Sequence, residues 1–318
     1  MHTSASAGVE FSGSGMRYVE IEHSENNYRL LRLGDCDFEF DAHQVLFEDG
    51  PDAYLETIAE ALSEVFKGST AQVFRVAVHA PASRSFMSSV SGTMGESARK
   101  EQLVFEAALL DIDRDVVALR AASGIAYSND GNRGLRSTEG RDAECTSAES
   151  AGRRNLVSHI SSTTQRRLED VFARAGRQNL ETISTSEAVA RVLREVSMLQ
   201  DQPEKSVMSV GVFDNYSMYT LMRDGEWVFS HQRVETDPED VLYFAMQMLR
   251  LGHEQLNDVG LVTLYGSGNS EHLAGVFGSV FAAPIENINP ISVVDFNGSS
   301  FHKDFSHSAF TMCIGAAL

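Results

Sequence analysis

Four short constellations in this sequence carry residue types that could do chemistry. The run Gly266-Ser267-Gly268-Asn269 follows a strand-like stretch and precedes a helix-like one. Its glycines free the backbone either for a tight strand-to-helix turn or for close approach to a flat ligand, and the turn is the default reading. Asp35, Asp37, Glu39 and Asp41 stand two apart. On a strand they share one face, while Cys36, Phe38 and Phe40 share the other. Such carboxylates could hold a cation or receive a basic peptide, but a solvated face is the plain expectation on an acidic chain. Arg166, Arg167, Arg174 and Arg177 fall on one predicted helix and its end, inside the block 151–200, where 8 Lys+Arg stand against 5 Asp+Glu. They suit an anion, a partner or an acidic surface of the chain itself, against the same default of a solvated face. His302 and His307 are five apart, which fits neither one helix face nor a zinc spacing. Ser, His and Asp are abundant, but no nucleophile motif such as G-x-S-x-G occurs.

Composition narrows the partners. The 318 residues include 26 Lys+Arg and 45 Asp+Glu, a formal charge of −19. Such a field repels phosphate, so neither nucleic acid nor an anionic membrane surface is an expected partner. With 42% hydrophobic residues the chain can bury a core. Only Lys67, Lys100, Lys205 and Lys303 are lysines, against 22 arginines, a bias that suits a salt-adapted cytoplasm and a GC-rich genome equally. Cys36, Cys145 and Cys313 are far apart and form no C-x-x-C pair, which points to a reduced, cytoplasmic setting. No signal peptide and no run of about 18 apolar residues stands out, so direct membrane insertion is not expected. The oligomeric state stays open, a homo-oligomer included.

The elements that must position these residues follow from periodicity. Residues 1–15, rich in Ser, Gly and Ala, read as a flexible tail. From Arg17, Val19 and Ile21, then Tyr28 and Leu30, then Phe38 and Phe40 alternate with polar residues as strands. Leu55, Ile58, Leu62, Val65 and Phe66 form a helical stripe between Pro51 and Gly68. Val73–Val78 is a short buried strand. Residues 95–111 read as a helix, 116–126 as a strand, and 128–152 as a long mobile loop without apolar period. A strand at 156–161 precedes two helices, one striped by Leu168, Val171 and Phe172 and one over 186–199. Residues 201–205 read as a hinge. Beyond it, a helix capped by Asp237 and Pro238 precedes a buried strand at Val259–Leu264.

The two halves match each other. RYVEIEHSENNYRLLRLG, from Arg17, resembles MSVGVFDNYSMYTLMRDG, from Met208, at a constant offset of 191 residues. Val19 pairs with Val210, Ile21 with Val212, Tyr28 with Tyr219 and Gly34 with Gly225, and each copy then runs into a strand, a helix and a buried strand. Duplication of one unit accounts for this order.

Two βββαβα units joined by a hinge resemble the actin-like ATPase fold, which pairs RNase H-like domains. Within it the chain most resembles the PilM-like family of type IV pilus assembly, and more weakly the cytoplasmic part of GspL of type II secretion. VAVHAPASRSFMSSVSGTMGESARKEQLVFEAALLD, from Val76, is similar to the stretch that enters an inserted small subdomain. RLEDVFARAGRQNLETISTSEAVARVL, from Arg167, is similar to the helix–strand–helix return. LYGSGNSEHLAG, from Leu264, resembles the adenosine turn, and FTMCIGAAL the closing helix. The expected class is therefore α/β: duplicated actin-like domains over 16–204 and 205–318, with an inserted α+β subdomain at 82–127. The resemblance assigns a nucleotide, if one is held, to Gly266, Gly268 and Asn269 beside the adenosine, and to Ser24 and Asp214 at the two phosphate loops. Glu187 takes the place of an acidic residue facing the attacking water, although its default role is that of a glutamate in a first helical turn.

The departures from the family pattern are specific. Where an Asp-x-Gly loop is expected, the first half reads Glu20-Ile21-Glu22-His23-Ser24-Glu25 and the second Gly211-Val212-Phe213-Asp214-Asn215. Carboxylates at a triphosphate are unfavourable, and Phe213 lacks the freedom of glycine. The expectation is a pseudo-ATPase without a bound cofactor. It would be a cytoplasmic scaffold of a pilus or secretion-type machine, binding the short cytoplasmic segment of an inner-membrane assembly protein near residues 81–111. The alternative is an ATP·Mg²⁺-binding conformational switch of the same fold. A small-substrate kinase ranks last, because neither a catalytic Asp nor an intact phosphate loop is evident.

Overall fold

The structure is a computed structural model. It describes residues 4–24, 27–48, 50–79, 83–88, 97–98, 101–102, 105–106, 120–126, 153–196, 205–223, 226–252, 254–296 and 305–318. The first sheet holds β1 (Ser4–Ser12), β2 (Gly15–Ser24), β3 (Asn27–Asp37), β4 (Val73–Val78) and β8 (Leu180–Ser184), in the order β3-β2-β1-β4-β8. β1, β2 and β3 pair antiparallel, whereas β4 and β8 run parallel to β1. The second sheet repeats this plan with β9 (Ser206–Val212), β10 (Ser217–Arg223), β11 (Glu226–Arg233), β12 (Val259–Tyr265) and β13 (Ile285–Asn287), in the order β11-β10-β9-β12-β13. Duplication of a three-strand meander followed by parallel strands is thus present.

Its register differs from the sequence reading. Residues 4–12 are the central strand of the first sheet, not a flexible tail. Ala7, Val9 and Phe11 on one face are fully buried. The small residues that suggest low complexity are there because a helix packs directly on this strand. The equivalent of β9 is therefore β1, and β2 corresponds to β10, so the offset of 191 matched each strand with the neighbour of its true partner. The first half accordingly begins well before residue 16.

The helices cover these sheets. α1 (Ala42–Phe47), α2 (Leu55–Val65) and α3 (Ser162–Arg174) pack with one face of the first sheet in one cluster, and α5 (Pro238–Leu251) and α6 (Glu271–Gly278) do the same for the second. Caps fix their starts: Asp41 accepts from Gln44 N, Ser161 from Thr164 N, and Asp237 from Glu239 N. Between the halves lie α4 (Thr185–Glu195) and the last helix, α7 (Thr311–Ala317). They share one core cluster with residues of both sheets. α7 follows the second half in sequence yet packs on β1, β2 and β4 of the first. At its crossing with α4, a Cβ on Gly315 would stand 2.0 Å from the Ala188 carbonyl oxygen, so only glycine lets the two helices approach this closely.

A third sheet, β5 (Ser83–Ser88), β7 (Arg153–Ile160) and β6 (Arg120–Ala126), has the order β5-β7-β6 and lies beside β11. The small subdomain expected at 82–127 therefore takes its central strand from 153–160, because β5 and β6 do not pair with each other. The expected loop at 128–152 and most of the hinge at 201–205 lie outside the described residues.

Candidate functional site

The site forms where strand ends from both halves meet. Near the end of β1, Glu10 is 1% exposed, and His79, just past β4, is 2% exposed. Parallel pairing sets Glu10 beside Ala77 and so brings the two side chains together, with His79 Nε2 3.0 Å from Glu10 Oε1. The other ring nitrogen, Nδ1, hydrogen-bonds the hydroxyl of Tyr216 in the β9–β10 turn. Arg17 approaches Glu10 Oε1 at 3.8 Å, and Glu10 Oε2 has no hydrogen-bond partner among the described residues. Burial pushes the Tyr216 phenol well above its ordinary range, so it stays protonated. Phe213 stacks on Tyr216 with centroids 4.6 Å apart and meets the His79 ring edge-on at 5.1 Å. Tyr265, at the end of β12, stands edge-on to Phe213 at 6.1 Å. These aromatic side chains fill the space between the two halves at this point.

The second part of the site is the turn after β12. Gly266 has φ +95, and a Cβ there would lie 2.3 Å from the Val212 carbonyl oxygen. Gly268 N donates to that same oxygen at 2.8 Å. Ser267 Oγ donates to Asp214 at 3.1 Å, and the Asn269 amide donates to Asn287 at 2.8 Å. Gly266, Gly268, Asn269 and Asp214 therefore assemble around the end of β9. Every contact here also serves to tie two strand ends together, which is the default role of such a turn.

Ser24 does not join them. It ends β2, in the hairpin to β3, where its hydroxyl donates to Asn27 O at 3.0 Å. The turn equivalent to 213–216 is Gly13–Ser14, between β1 and β2. Ser24 lies at the opposite end of a ten-residue strand, about 30 Å away at 3.3 Å per residue. The acidic first loop moves with it. Glu20 is buried, accepts from Thr70 N at 2.8 Å and Thr70 Oγ1 at 3.0 Å, and forms an ion pair with Arg32 Nε at 2.9 Å. Glu22 pairs with Arg29 at 2.8 Å. These carboxylates hold the first half together rather than facing a phosphate, and the slipped register is the reason they were misassigned.

The other candidates have local roles. Glu187 sits in the first turn of α4 and pairs with Arg191 at 2.6 Å. Arg167 donates to the Val45 and Gly50 carbonyls at 2.6 and 2.8 Å and meets Asp52 at 3.3 Å. Arg174 bridges Asp170 and Glu56. Arg177 donates to Phe66 O and lies over the Phe74 ring. Three of the four arginines thus fasten α3 and its end to the rest of the first half, while Arg166 is exposed. Asp41 caps α1, and Asp35, Asp37 and Glu39 are exposed. His307 stands beside Phe305; His302 lies outside the described residues. Among the described residues no group of three or more His, Cys, Asp or Glu could hold a metal ion.

The sequence reading missed Glu10, His79, Tyr216 and Tyr265. A signal was present: Ala5, Ala7, Val9 and Phe11 alternate like a strand, with a single charged residue between the last two.

No family model matches the chain, and no curated protein matches it. Solved structures do. A chain of a PilM–PilN type IV pilus biogenesis complex superimposes with a TM-score of 0.66 at 15% identity, covering 98% of this chain and 97% of the other. A Bacteroides thetaiotaomicron protein of actin-like ATPase fold and unknown function gives 0.50 at 10% identity, covering 90% and 91%. The chain has the actin-like ATPase fold. The actin-like fold implies ATP and Mg²⁺ between the halves, and the residues present can be tested against that ligand. A phosphate loop needs free backbone N–H donors and room. Here Phe213 N donates to Tyr216 O at 2.9 Å, inside its own turn, and the Phe213–Tyr216 pair packs on His79. Beneath lies the unpartnered oxygen of Glu10, which would repel phosphate. A triphosphate does not fit this turn.

Proposed function

We propose that the chain is an actin-fold scaffold of a pilus or secretion-type membrane machine, with nucleotide hydrolysis lost. Its work is to bind a partner peptide, the short cytoplasmic segment of an inner-membrane assembly protein, at the cytoplasmic face. The observation that carries the loss of hydrolysis is the aromatic closure of the β9–β10 turn by Phe213, Tyr216 and His79. The scaffold reading draws support from the end-to-end likeness to a chain found in a PilM–PilN complex. Among the described residues no helix is long and apolar enough to cross a membrane, which suits recruitment by a partner. The small sheet beside β11 is where such a peptide would add, by strand or groove pairing.

One observation favours the alternative of an ATP-binding switch: the Gly266–Asn269 turn keeps a backbone shape that a nucleoside could approach. Titration calorimetry separates the two. The scaffold predicts no heat and no thermal shift at millimolar ATP with Mg²⁺, and saturable binding at micromolar ATP would overturn it. Affinity capture from a membrane extract tests the partner. Recovery of an inner-membrane protein whose short cytoplasmic segment alone still binds supports the reading. Absence of any inner-membrane protein refutes it.

A further inference from the structure

We propose that Glu10, His79 and Tyr216 form an inter-half latch that keeps the two sheets closed without any ligand. Glu10 on β1 and His79 just past β4 belong to the first half, and Tyr216 belongs to the β9–β10 turn of the second. The hydrogen-bonded chain Glu10–His79–Tyr216 therefore crosses from one half to the other, entirely out of water. Both ring nitrogens of His79 are engaged, Nε2 with Glu10 and Nδ1 with the Tyr216 hydroxyl, while Glu10 Oε2 keeps no partner among the described residues. Opening the halves would strand the Glu10–His79 pair and expose the Phe213–Tyr216 stack, so the chain resists hinge motion at this edge. The α4–α7 crossing, with Gly315 against Ala188, is a further connection, as are the hydrogen bonds between Leu30 N and Asp295 O and between Asp295 N and Tyr28 O. In this arrangement side chains supply the bridge that a ligand lodged between two halves would otherwise supply. The latch concerns closure alone and stands whether or not a partner peptide binds elsewhere.

The test uses the full chain and hydrogen exchange resolved to peptides. Tyr216→Phe removes one oxygen and keeps the stack on Phe213. Exchange in the segments 73–79 and 206–223 is expected to rise about tenfold, the effect of one lost buried hydrogen bond, while α2 and α5 stay as in the parent. The second arm is Glu10→Gln with His79→Leu, which removes the partner without leaving a buried carboxylate unpaired; Arg17, partly exposed, keeps access to water. Adding Tyr216→Phe to that pair should have almost no further effect, because the bond is already gone. Unchanged exchange in Tyr216→Phe overturns the latch. So does acceleration spread evenly through the outer helices, or full additivity of the two arms. Micromolar ATP binding by the parent chain would overturn the scaffold reading and leave these exchange results to be judged separately.

Discussion

Gly315→Ala tests how tightly the halves are joined, because two effects of opposite sign meet there. Alanine is the better helix former by about 1 kcal/mol, so propensity alone predicts a more stable protein. The structure predicts the reverse. The new Cβ would lie 2.0 Å from Ala188 O, 2.6 Å from Ala188 C and 3.0 Å from its Cα. These are backbone atoms, which cannot rotate away, so α7 must move out by about 1.5 Å to reach ordinary contact. Met312, Cys313, Ile314, Ala316 and Ala317 on the same helix are all buried and would lose contacts as it moves. Overpacking of this kind costs about 3 kcal/mol at the upper end of its usual range, leaving a net loss near 2 kcal/mol. Thermal unfolding followed by circular dichroism should show Tm lower by about 3 °C. Gly275→Ala in α6 is the control, since a Cβ there meets nothing within 4 Å; that variant should hold or gain Tm. If Gly315→Ala equals or exceeds the parent, the close crossing of α4 and α7 is wrong.

Glu20→Ala separates the two placements of that residue. Its loss leaves Arg32 and Thr70 without their buried partner, at a cost of about 3 kcal/mol in urea unfolding; unchanged stability with a gain in ATP affinity would instead return Glu20 to a phosphate site. His43 gives the chain an acid-sensitive step, because burial, followed by the nearby His79, lowers its pKa from 6.5 to about 4. The lowering prevails over the Glu48 contact, which is long at 3.8 Å and reaches a half-exposed carboxylate. The unfolded chain takes up this proton first, so stability is full above pH 6.5 and falls by about 3 kcal/mol on the way to pH 4. His43→Phe should flatten the urea-midpoint profile across that window, and a profile as steep as the parent's would refute the assignment. Arg167→Met should cost about 1–2 kcal/mol in the same assay through the lost carbonyl contacts, whereas Arg166→Met should stay within about 0.5 kcal/mol; equal effects would return both to a solvated face.

Much of the fold was legible in the sequence. The stripe from Leu55 to Leu62, the cap at Asp237 and the buried strands Val73–Val78 and Val259–Tyr265 lie where periodicity and capping put them. The Gly266–Asn269 turn was legible too, because a positive φ between a strand and a helix selects glycine whatever surrounds it. The central strand was not. Ser, Gly and Ala have little strand preference, and the reason for Ser6 and Gly8 is the backbone of α7, more than 300 residues away in sequence. Missing that strand displaced the internal match by one element and carried Glu20, Glu22 and Ser24 into a phosphate loop, whereas they lie on β2.

The sequence by itself determined most element types outside the central strand, the duplicated order and the acidic, lysine-poor composition, all of which depend on local pattern or on sums over the chain. Tertiary structure alone decided which strands are equivalent and which side chains meet. Glu10, His79 and Tyr216 are separated by 69 and 137 residues. No local rule joins a carboxylate on one strand to a ring past another and a phenol in the opposite half. Parallel pairing of β1 with β4 and the packing of two sheets about α4 and α7 bring them together, and exclusion of water there makes each hydrogen bond between them costly to lose.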